Sequence, residues 1–209
     1  TGAISDEGFR RTVEAVRRFR AIADAMSVSR IDVTATEAIR RASNGPALSA
    51  AITAASGLEV RILTGAEEAK FSTLGVISGF YRPVGLVGDM GGGSLEVCEA
   101  LDDKAGERWT SMPLGALPVE ALLEAGVSSA KRAVDAILRD NLPPALAKPV
   151  FYAVGGSWRS LAAVHMSAVG APVQTVHGYT LDTRTARGFC KYLLKLSPAK
   201  LAALPGVPE

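Results

Sequence analysis

Residues 84–99 read VGLVGDMGGGSLEVCE, and this stretch decides the fold of the chain. An apolar run ending at Asp89 leads into three glycines and Ser94, and an alternating strand with Glu96 follows. The pattern predicts two β-strands joined by a turn with unobstructed backbone N–H groups at residues 91–94, called the first glycine turn below. Such N–H groups bind anions, most commonly phosphate. Asp89 and Glu96 are placed to hold a metal ion or a water beside it, which indicates chemistry on condensed phosphates.

A second glycine turn follows another apolar segment. Val150–Val154 reads as a buried strand, and Gly155, Gly156 and Ser157 come directly after it. In open α/β sheets, ligands bind beyond the carboxyl ends of strands, where both turns are expected. Alone, the second turn is equally well explained by sterics, because glycine also ends strands without binding anything. The pair of turns, with acidic residues flanking the first, favours a binding site.

The hydrophobic periodicity along the chain predicts helices that alternate with strands, which indicates an α/β protein. The predicted helices are 6–26 with Ser5 as N-cap, two segments from Thr36 to Gly57 broken at 44–46, 65–79, 118–125, 128–141, 158–168 and two more near the C-terminus. The predicted strands are 30–34, 58–63, the hairpin 84–99, 108–112, 150–154 and 173–176. Pro143 and Pro144 predict a turn.

Composition sets the class of protein. The chain has 209 residues, of which 48% are hydrophobic, and no apolar run is long enough to cross a membrane, so we expect a soluble protein. Cys98 and Cys190 lack metal-ligand spacing and are typical of thiols in a reducing cytoplasm. The net charge of +2 is too small for a general nucleic-acid binder. An arginine cluster on the first helix fits a solvated face, with a track for a long polyanion as the alternative.

Four ordered motifs resemble one protein family. VGDMGGGSLE at 87–96 resembles the D-x-G-G-G-S-x-E signature of the exopolyphosphatase / guanosine pentaphosphatase (Ppx/GppA) family. TATEAIRRASN at 34–44 is similar to its T-x-x-x-R-x-A-x-N stretch, and GAEEAKFSTLGV at 65–76 to its G-x-E-E-A segment. VGGSWRSLA at 154–162, followed by VHGYTLD at 176–182, resembles its later glycine turn and the strand after it.

This resemblance implies an α/β fold of the actin/Hsp70/sugar-kinase (ribonuclease H-like) type, with two domains that face each other across a cleft. We expect residues 1–77 to be the remainder of the N-terminal domain and 78–209 to form the second domain, which carries both glycine turns. The family also has an N-terminal hairpin with a D-x-G-S-N-S turn and a helix beyond LPGVPE, and neither occurs in this sequence. The expectation is therefore a fragment that is inactive alone.

The function implied by the resemblance is hydrolysis of terminal phosphates from inorganic polyphosphate or guanosine pentaphosphate with Mg²⁺, often in a homodimer. Glu68 matches the family's water-activating base, and Asp89 and Glu96 match its acidic pair near the metal. Arg40 matches its arginine and could clamp phosphate oxygens. The phosphate-facing backbone would comprise Gly91, Gly92, Gly93, Ser94, Gly155, Gly156 and Ser157.

Several residues keep alternatives open. Glu67 could be the base instead of Glu68, because adjacent helical residues point about 100° apart and only one can face the cleft. His165 reads as a core histidine, whereas His177 could line the cleft. Trp158 either packs on the sheet or stacks on a guanine ring. Leu95 stands where the family has threonine, and strand alternation predicts that it points away from phosphate.

Glu37 precedes Arg41 by four residues, which favours a helical ion pair and need mean nothing further. The function itself has three alternatives to a phosphatase. One is an ATP-binding ATPase or kinase of the same fold class, since VGGSWRSL also resembles the adenosine-contacting turn of Hsp70-like ATPases. Another is a non-catalytic sensor of phosphate ligands. The last is an α/β domain whose glycines are merely turns.

Overall fold

A computed structural model describes residues 2–142, 146 and 148–207 of the chain. Its helices are α1 Asp6–Ala25, α2 Glu37–Arg41, α3 Gly45–Ser56, α4 Gly65–Gly79, α5 Ala116–Leu123, α6 Val127–Asn141, α7 Gly156–Ala168, α8 Thr183–Leu193 and α9 Pro198–Ala202. Its strands are β1 Val33–Ala35, β2 Val60–Ile62, β3 Val84–Met90, β4 Leu95–Leu101, β5 Lys104–Met112 and β6 Phe151–Val154. The alternation confirms the predicted α/β class. The predicted turn at Pro143 and Pro144 lies outside the described residues.

The larger sheet has the strand order β5-β4-β3-β6. Strands β3 and β4 are antiparallel, whereas β3 and β6 are parallel with Asp89 beside Val154. Because parallel strands end at the same edge, the first glycine turn after β3 and the turn of residues 155–157 after β6, the second glycine turn, leave the sheet together. This topology brings the two predicted turns to one place.

The two faces of this sheet have different contents. On one face, Leu95 and Val97 are buried in a core with Leu86 and Met112, and α6 packs against that core. On the opposite face, Ala100 packs with the α4 residue Val76. Since side chains alternate along β4, Glu96 lies on the α4 face and Leu95 does not. The predicted orientation of Leu95 is confirmed.

The smaller sheet pairs β1 with β2 in parallel, and α1 packs against α3. The break between α2 and α3 requires Gly45, because a Cβ there would come closer than 3.0 Å to the carbonyl of Ile39. The left-handed backbone of Gly57 ends α3, as predicted, with a φ of 70°. The predicted domain boundary between residues 77 and 78 falls in the last turn of α4, and the division into two domains stays a prediction.

Helix α1 begins as predicted, with the Ser5 hydroxyl accepting a hydrogen bond from the Gly8 amide at 3.2 Å. Its exposed face carries ion pairs of Arg10 with Glu7 and Glu14. This arrangement fits the solvated face that was expected, and the polyanion track stays an untested alternative. Within residues 2–142, 146 and 148–207, no helix combines the length and apolar character needed to cross a bilayer.

Five predicted strands differ from the structure. The predicted strand 58–63 is only Val60–Ile62, the residues that pair with β1. Residues 173–176 form no strand, because their apolar alternation finds no neighbouring strand to pair with. The segment before the second glycine turn is an edge strand rather than a buried one, and Phe151 is 48% exposed on it. Strand β1 starts at Val33 rather than residue 30, and β5 starts at Lys104 rather than 108, since pairing with a neighbour sets these limits.

Candidate active site

Helix α4 lies across the sheet face that carries Glu96, and its start is fixed from both sides. Thr64 accepts a hydrogen bond from the Glu67 amide at 3.2 Å, and the Glu67 carboxylate accepts one from the Thr64 amide at 2.9 Å. This reciprocal pair is a capping box. Gly65 then rests on β5, where an added Cβ would be 2.9 Å from the Ser111 Cβ. The first turn of α4 is therefore held directly over the sheet.

The capping box separates the two candidate bases. Glu67 also pairs with Arg61. Hydrogen bonds from the Thr64 amide, from Arg61 and from the Thr64 hydroxyl lower the pKa of Glu67 to about 2. A carboxylate with this pKa is a poor proton acceptor near neutral pH. Glu68 is 13% exposed and accepts a hydrogen bond from Arg40, so the geometry favours Glu68 as the base.

Asp89, Glu96 and Ser111 form a row across three strands on the face under α4. Asp89 is paired with Glu96 in the β3–β4 register, and Glu96 with Ser111 in the β4–β5 register. Ser111 donates a hydrogen bond to Glu96 Oε1 at 2.7 Å, and Ser72 of α4 donates one to Asp89 Oδ2. Residues 68 and 72, one helical turn apart, thus both lie against this row.

The carboxylates of Asp89 and Glu96 in this row place negative charge where little water reaches. Glu96 is only 4% exposed, and burial raises its pKa above the ordinary value. Hydrogen bonds from Ser111 and Ser94 oppose that rise, whereas the charges of Glu68 and Asp89 add to it. Carboxylates that disfavour one another's ionised form are stabilised by a cation placed among them.

The donor set fits Mg²⁺ that is bound jointly with a phosphate. In the part of the chain that the structure describes, no three His, Cys, Asp or Glu side chains are grouped to hold an ion among themselves. Mg²⁺ is commonly held by one or two carboxylates, with waters and substrate phosphate oxygens as its other ligands. Asp89 and Glu96 supply two hard oxygen donors at neighbouring positions. Their role as metal ligands stays a prediction.

The first glycine turn is oriented by α5. The carbonyl of Gly91 accepts a hydrogen bond from the Ala116 amide at 3.0 Å, and that of Gly92 accepts one from the Leu117 amide at 2.9 Å. In a trans peptide the C=O and the following N–H point in opposite directions, so the amides of Gly92 and Gly93 point away from α5. Among the described residues, no protein group accepts a hydrogen bond from either amide.

Gly91 does not match the expectation of an open amide. Its N–H donates to the Ser94 carbonyl at 3.0 Å, because this bond closes the hairpin between β3 and β4. Gly92 is open, since a Cβ there would meet nothing within 4 Å. The open part of the turn is therefore Gly92 and Gly93. Ser94 after them is only 4% exposed and its side chain hydrogen-bonds Glu96, so its predicted contact with phosphate stays a prediction.

Gly115 is a residue that the sequence interpretation missed. A Cβ at this position would come closer than 3.0 Å to backbone atoms of Gly92, Gly93 and Ser94. Helix α5 can approach the turn and bind its carbonyls only because residue 115 has no side chain. The available signal was a glycine that ends the short connection after β5 and directly precedes α5.

The second glycine turn abuts the first. Gly155 has a φ of 113°, and a Cβ there would be 3.2 Å from Asp89 Oδ1 and closer than 3.0 Å to the Met90 carbonyl. Gly156 begins α7, is open to solvent, and would accommodate a Cβ without any neighbour within 4 Å. Ser157 follows and is exposed. The first amides of α7 thus lie beside the first glycine turn.

Arg40 is held by protein groups. Its Nη1 donates to Glu68 and to the Leu63 carbonyl, and its Nη2 donates to Glu37 at 2.6 Å. A guanidinium has five N–H donors, so these bonds leave two of them uncommitted among the described residues. Arg40 therefore fixes Glu68, and its predicted contact with phosphate stays a prediction.

The other candidates take structural positions. His165 is buried, with Nδ1 2.7 Å from the Tyr179 hydroxyl, which confirms the core interpretation. His177 contacts the Gly79 carbonyl at 3.3 Å, at the end of α4 opposite Glu68, so it does not line this site. The Trp158 ring packs edge-on against Phe151, as the packing alternative predicted. Cys98 and Cys190 are both free thiols.

Comparison with known proteins gives a consistent result. The sequence profile of the Ppx/GppA phosphatase family matches residues 1–209. Exopolyphosphatase 1 of Mycobacterium tuberculosis is 27% identical over 220 residues, which cover 99% of this chain and 63% of that protein. Exopolyphosphatase 1 of Mycobacterium leprae is 29% identical over 118 residues, which cover 56% of this chain and 34% of that protein. The chain thus spans less than two thirds of the length of these curated relatives.

Solved structures show the same fold. The Aquifex aeolicus member of the Ppx/GppA family is 25% identical, with a TM-score of 0.77 over 97% of this chain and 67% of that one. An exopolyphosphatase from Cytophaga hutchinsonii is 20% identical, with a TM-score of 0.83 over 99% and 70%. The predicted actin/Hsp70-like α/β fold is therefore confirmed, and the chain belongs to the Ppx/GppA phosphatase family.

Proposed function

We propose that this chain carries the hydrolytic site of a phosphatase that removes the terminal phosphate of inorganic polyphosphate. The observation that carries the proposal is the orientation of the Gly92 and Gly93 amides, which α5 turns away from itself and which no described protein group engages. These amides follow directly on the strand that holds Asp89. An anion-binding backbone beside a row of carboxylates is what hydrolysis of a phosphoanhydride requires.

The binding step uses backbone amides from both glycine turns. The amides of Gly92 and Gly93 would donate to oxygens of the terminal phosphate, and the first amides of α7, at Gly156 and Ser157, to those of the next one. Helix N-termini and turns of this kind favour negative charge. Asp89 and Glu96 would hold Mg²⁺, which when bound supplies neutralisation of charge on the phosphate oxygens.

The chemical step would place a water molecule between Glu68 and the terminal phosphorus. As the water attacks, the Glu68 carboxylate accepts its proton, while the bridging oxygen leaves with the shortened chain. General-base assistance of this type contributes about 10²–10⁴-fold in rate. Arg40 holds the Glu68 carboxylate in place. Glu67 takes no part, because its carboxylate is committed to the capping box.

Polyphosphate is the preferred candidate substrate because the curated relatives are named exopolyphosphatases. Guanosine pentaphosphate, a homodimeric assembly and the ATP-using alternative stay predictions that rest on resemblance alone. Trp158 packs edge-on against Phe151, so part of its ring surface is already in contact with the protein.

The test is orthophosphate release by the full-length protein from polyphosphate, guanosine pentaphosphate and ATP, each with and without Mg²⁺. We expect Mg²⁺-dependent release from polyphosphate. Glu68→Gln should lower kcat about 10²–10⁴-fold with little change in KM, because a base acts in the transition state.

Glu67→Gln is the matched control on the adjacent residue, and it should retain kcat within a few-fold. Equal losses in the two variants would contradict the assignment of the base. Release from ATP alone would favour the ATPase alternative, and binding without release from any substrate would favour a sensor.

A further inference from the structure

Glu37 makes more contacts than a helical ion pair requires. Its Oε1 lies 3.1 Å from Arg41 Nη1, which is the pair that four-residue spacing predicts. Its Oε2 lies 2.6 Å from Arg40 Nη2, on the same guanidinium that binds Glu68. The Glu37 side chain is only 16% exposed, so this carboxylate is turned inward to the candidate active site.

The same side chain lies against the first glycine turn. A Cβ added to Gly93 would be 2.7 Å from Glu37 Cγ. The peptide that joins Gly92 to Gly93 carries the Gly93 amide, which points away from α5 because α5 binds the Gly92 carbonyl. Glu37 thus brings a negative charge next to the backbone on which the proposed function places an anion, and this charge opposes anion binding there.

Arg40 connects Glu37 to the ligand. Carboxylate and phosphate oxygens bind the same guanidinium donors with similar geometry. We propose that Glu37 is a positioning residue that weakens the binding of the product: its carboxylate occupies Arg40 in the empty site and is exchanged for a phosphate oxygen when a phosphate group binds in the first glycine turn. This inference rests on the proposed function for the location of the anion, and it requires no hydrolysis.

The exchange weakens the binding of every phosphate group that takes the place of Glu37 on Arg40. Orthophosphate and the terminal group of a condensed phosphate would occupy the same place, so they would bear the same cost. A condensed phosphate also reaches the amides of Gly156 and Ser157, and these added contacts keep it bound in spite of that cost. Orthophosphate, the product, has no such further contact, so the site would release it readily.

The test is calorimetric titration of the full-length protein with orthophosphate and with tripolyphosphate, at fixed ionic strength. Glu37→Gln keeps the shape of the side chain and removes its charge. We expect the Kd for orthophosphate and the Kd for tripolyphosphate both to fall on the order of tenfold, because the cost of displacing Glu37 is common to the two ligands. Glu59→Gln, at an exposed glutamate, is the control that removes the same charge elsewhere and should change neither Kd.

Further variants separate this role from a structural one. In an Arg40→Gln background, Glu37→Gln should lose most of its effect, because the exchange acts through the guanidinium. Glu37→Asp, with a shorter reach to Arg40, should give an intermediate gain and serves as the test if the glutamine variant does not fold. Weaker or unchanged orthophosphate binding in both variants would overturn the proposal. A gain in a protein that hydrolyses nothing would support it while refuting the proposed function.

Discussion

The two glycine turns share a sequence pattern but use glycine for different reasons. In the first turn, the backbone has ordinary φ angles, and its shape is set by hydrogen bonds to α5 and by the close approach of Gly115. In the second, Gly155 itself has a φ of 113° and is packed against the Met90 carbonyl. Helix α5 therefore shapes one turn from outside, whereas the other is shaped by its own first residue.

The comparison also separates two kinds of glycine. Gly115 and Gly155 lack a side chain because protein backbone fills the space that a Cβ would take. Gly92 and Gly156 have open space at the same position, so nothing in the protein requires glycine there. Open space at Gly92 and Gly156 leaves room for a ligand to approach the backbone closely. Whether an anion binds at these two glycines stays a prediction.

The largest expected effect concerns the two glycines of the second turn. Gly155→Ala should lower the free energy of unfolding by about 3 kcal/mol or more, because the new Cβ meets the Met90 carbonyl at a φ unfavourable to alanine. Gly156→Ala, one residue on, should leave stability unchanged or raise it by up to about 1 kcal/mol. Urea denaturation measures both. Similar losses of stability in the two variants would show that Gly155 and Gly156 do not differ in how far the protein requires glycine.

The next test concerns the first turn. Gly92→Val should keep the free energy of unfolding within about 1 kcal/mol, because the space around residue 92 is open. Its affinity for tripolyphosphate should fall at least about tenfold, since the side chain blocks approach to the amides. Calorimetry and a thermal melt of the same sample measure the two quantities. Equal affinity of Gly92→Val and wild type for tripolyphosphate would show that the open space at Gly92 does not serve the approach of a ligand.

The smallest expected effect is the pH dependence of the α4 cap, which helps to hold the start of α4, and with it Glu68, over the sheet. Glu67 has an ordinary pKa of 4.5 and a folded pKa of about 2, so its ionised form stabilises the folded state. That contribution is complete above about pH 4.5 and is lost as the pH falls towards 2. The difference in melting temperature between wild type and Glu67→Gln should shrink over this interval. A constant difference would show that the cap does not depend on this charge.

The sequence was sufficient for features set by local spacing. The bounds of α4 were predicted as residues 65–79, because its cap and its apolar spacing are both local. The opposite orientations of Leu95 and Glu96 follow from alternation along one strand. The presence of two glycine turns could likewise be predicted from the sequence, although the contact between them depends on the parallel pairing of β3 with β6.

The features that sequence reasoning missed depend on register and packing. Ser111 lies next to Glu96 only because of how β5 pairs with β4, and Gly115 matters only because α5 approaches the turn. Glu37 meets Gly93 across 56 positions of sequence. Gly91 was expected to be open, but the closing bond of the hairpin engages its amide. No local pattern specifies these long-range pairings.

The two carbonyls held by α5 affect more than the direction of the turn. A peptide group is polarisable, so a donor that pulls on its oxygen makes the N–H of the same plane a stronger donor. Ala116 and Leu117 would thereby act electronically on an anion bound at the turn, through the planes of two glycine peptides. The coupling is reciprocal, so the first amides of α5 would exchange deuterium more slowly when such an anion is bound on the far side.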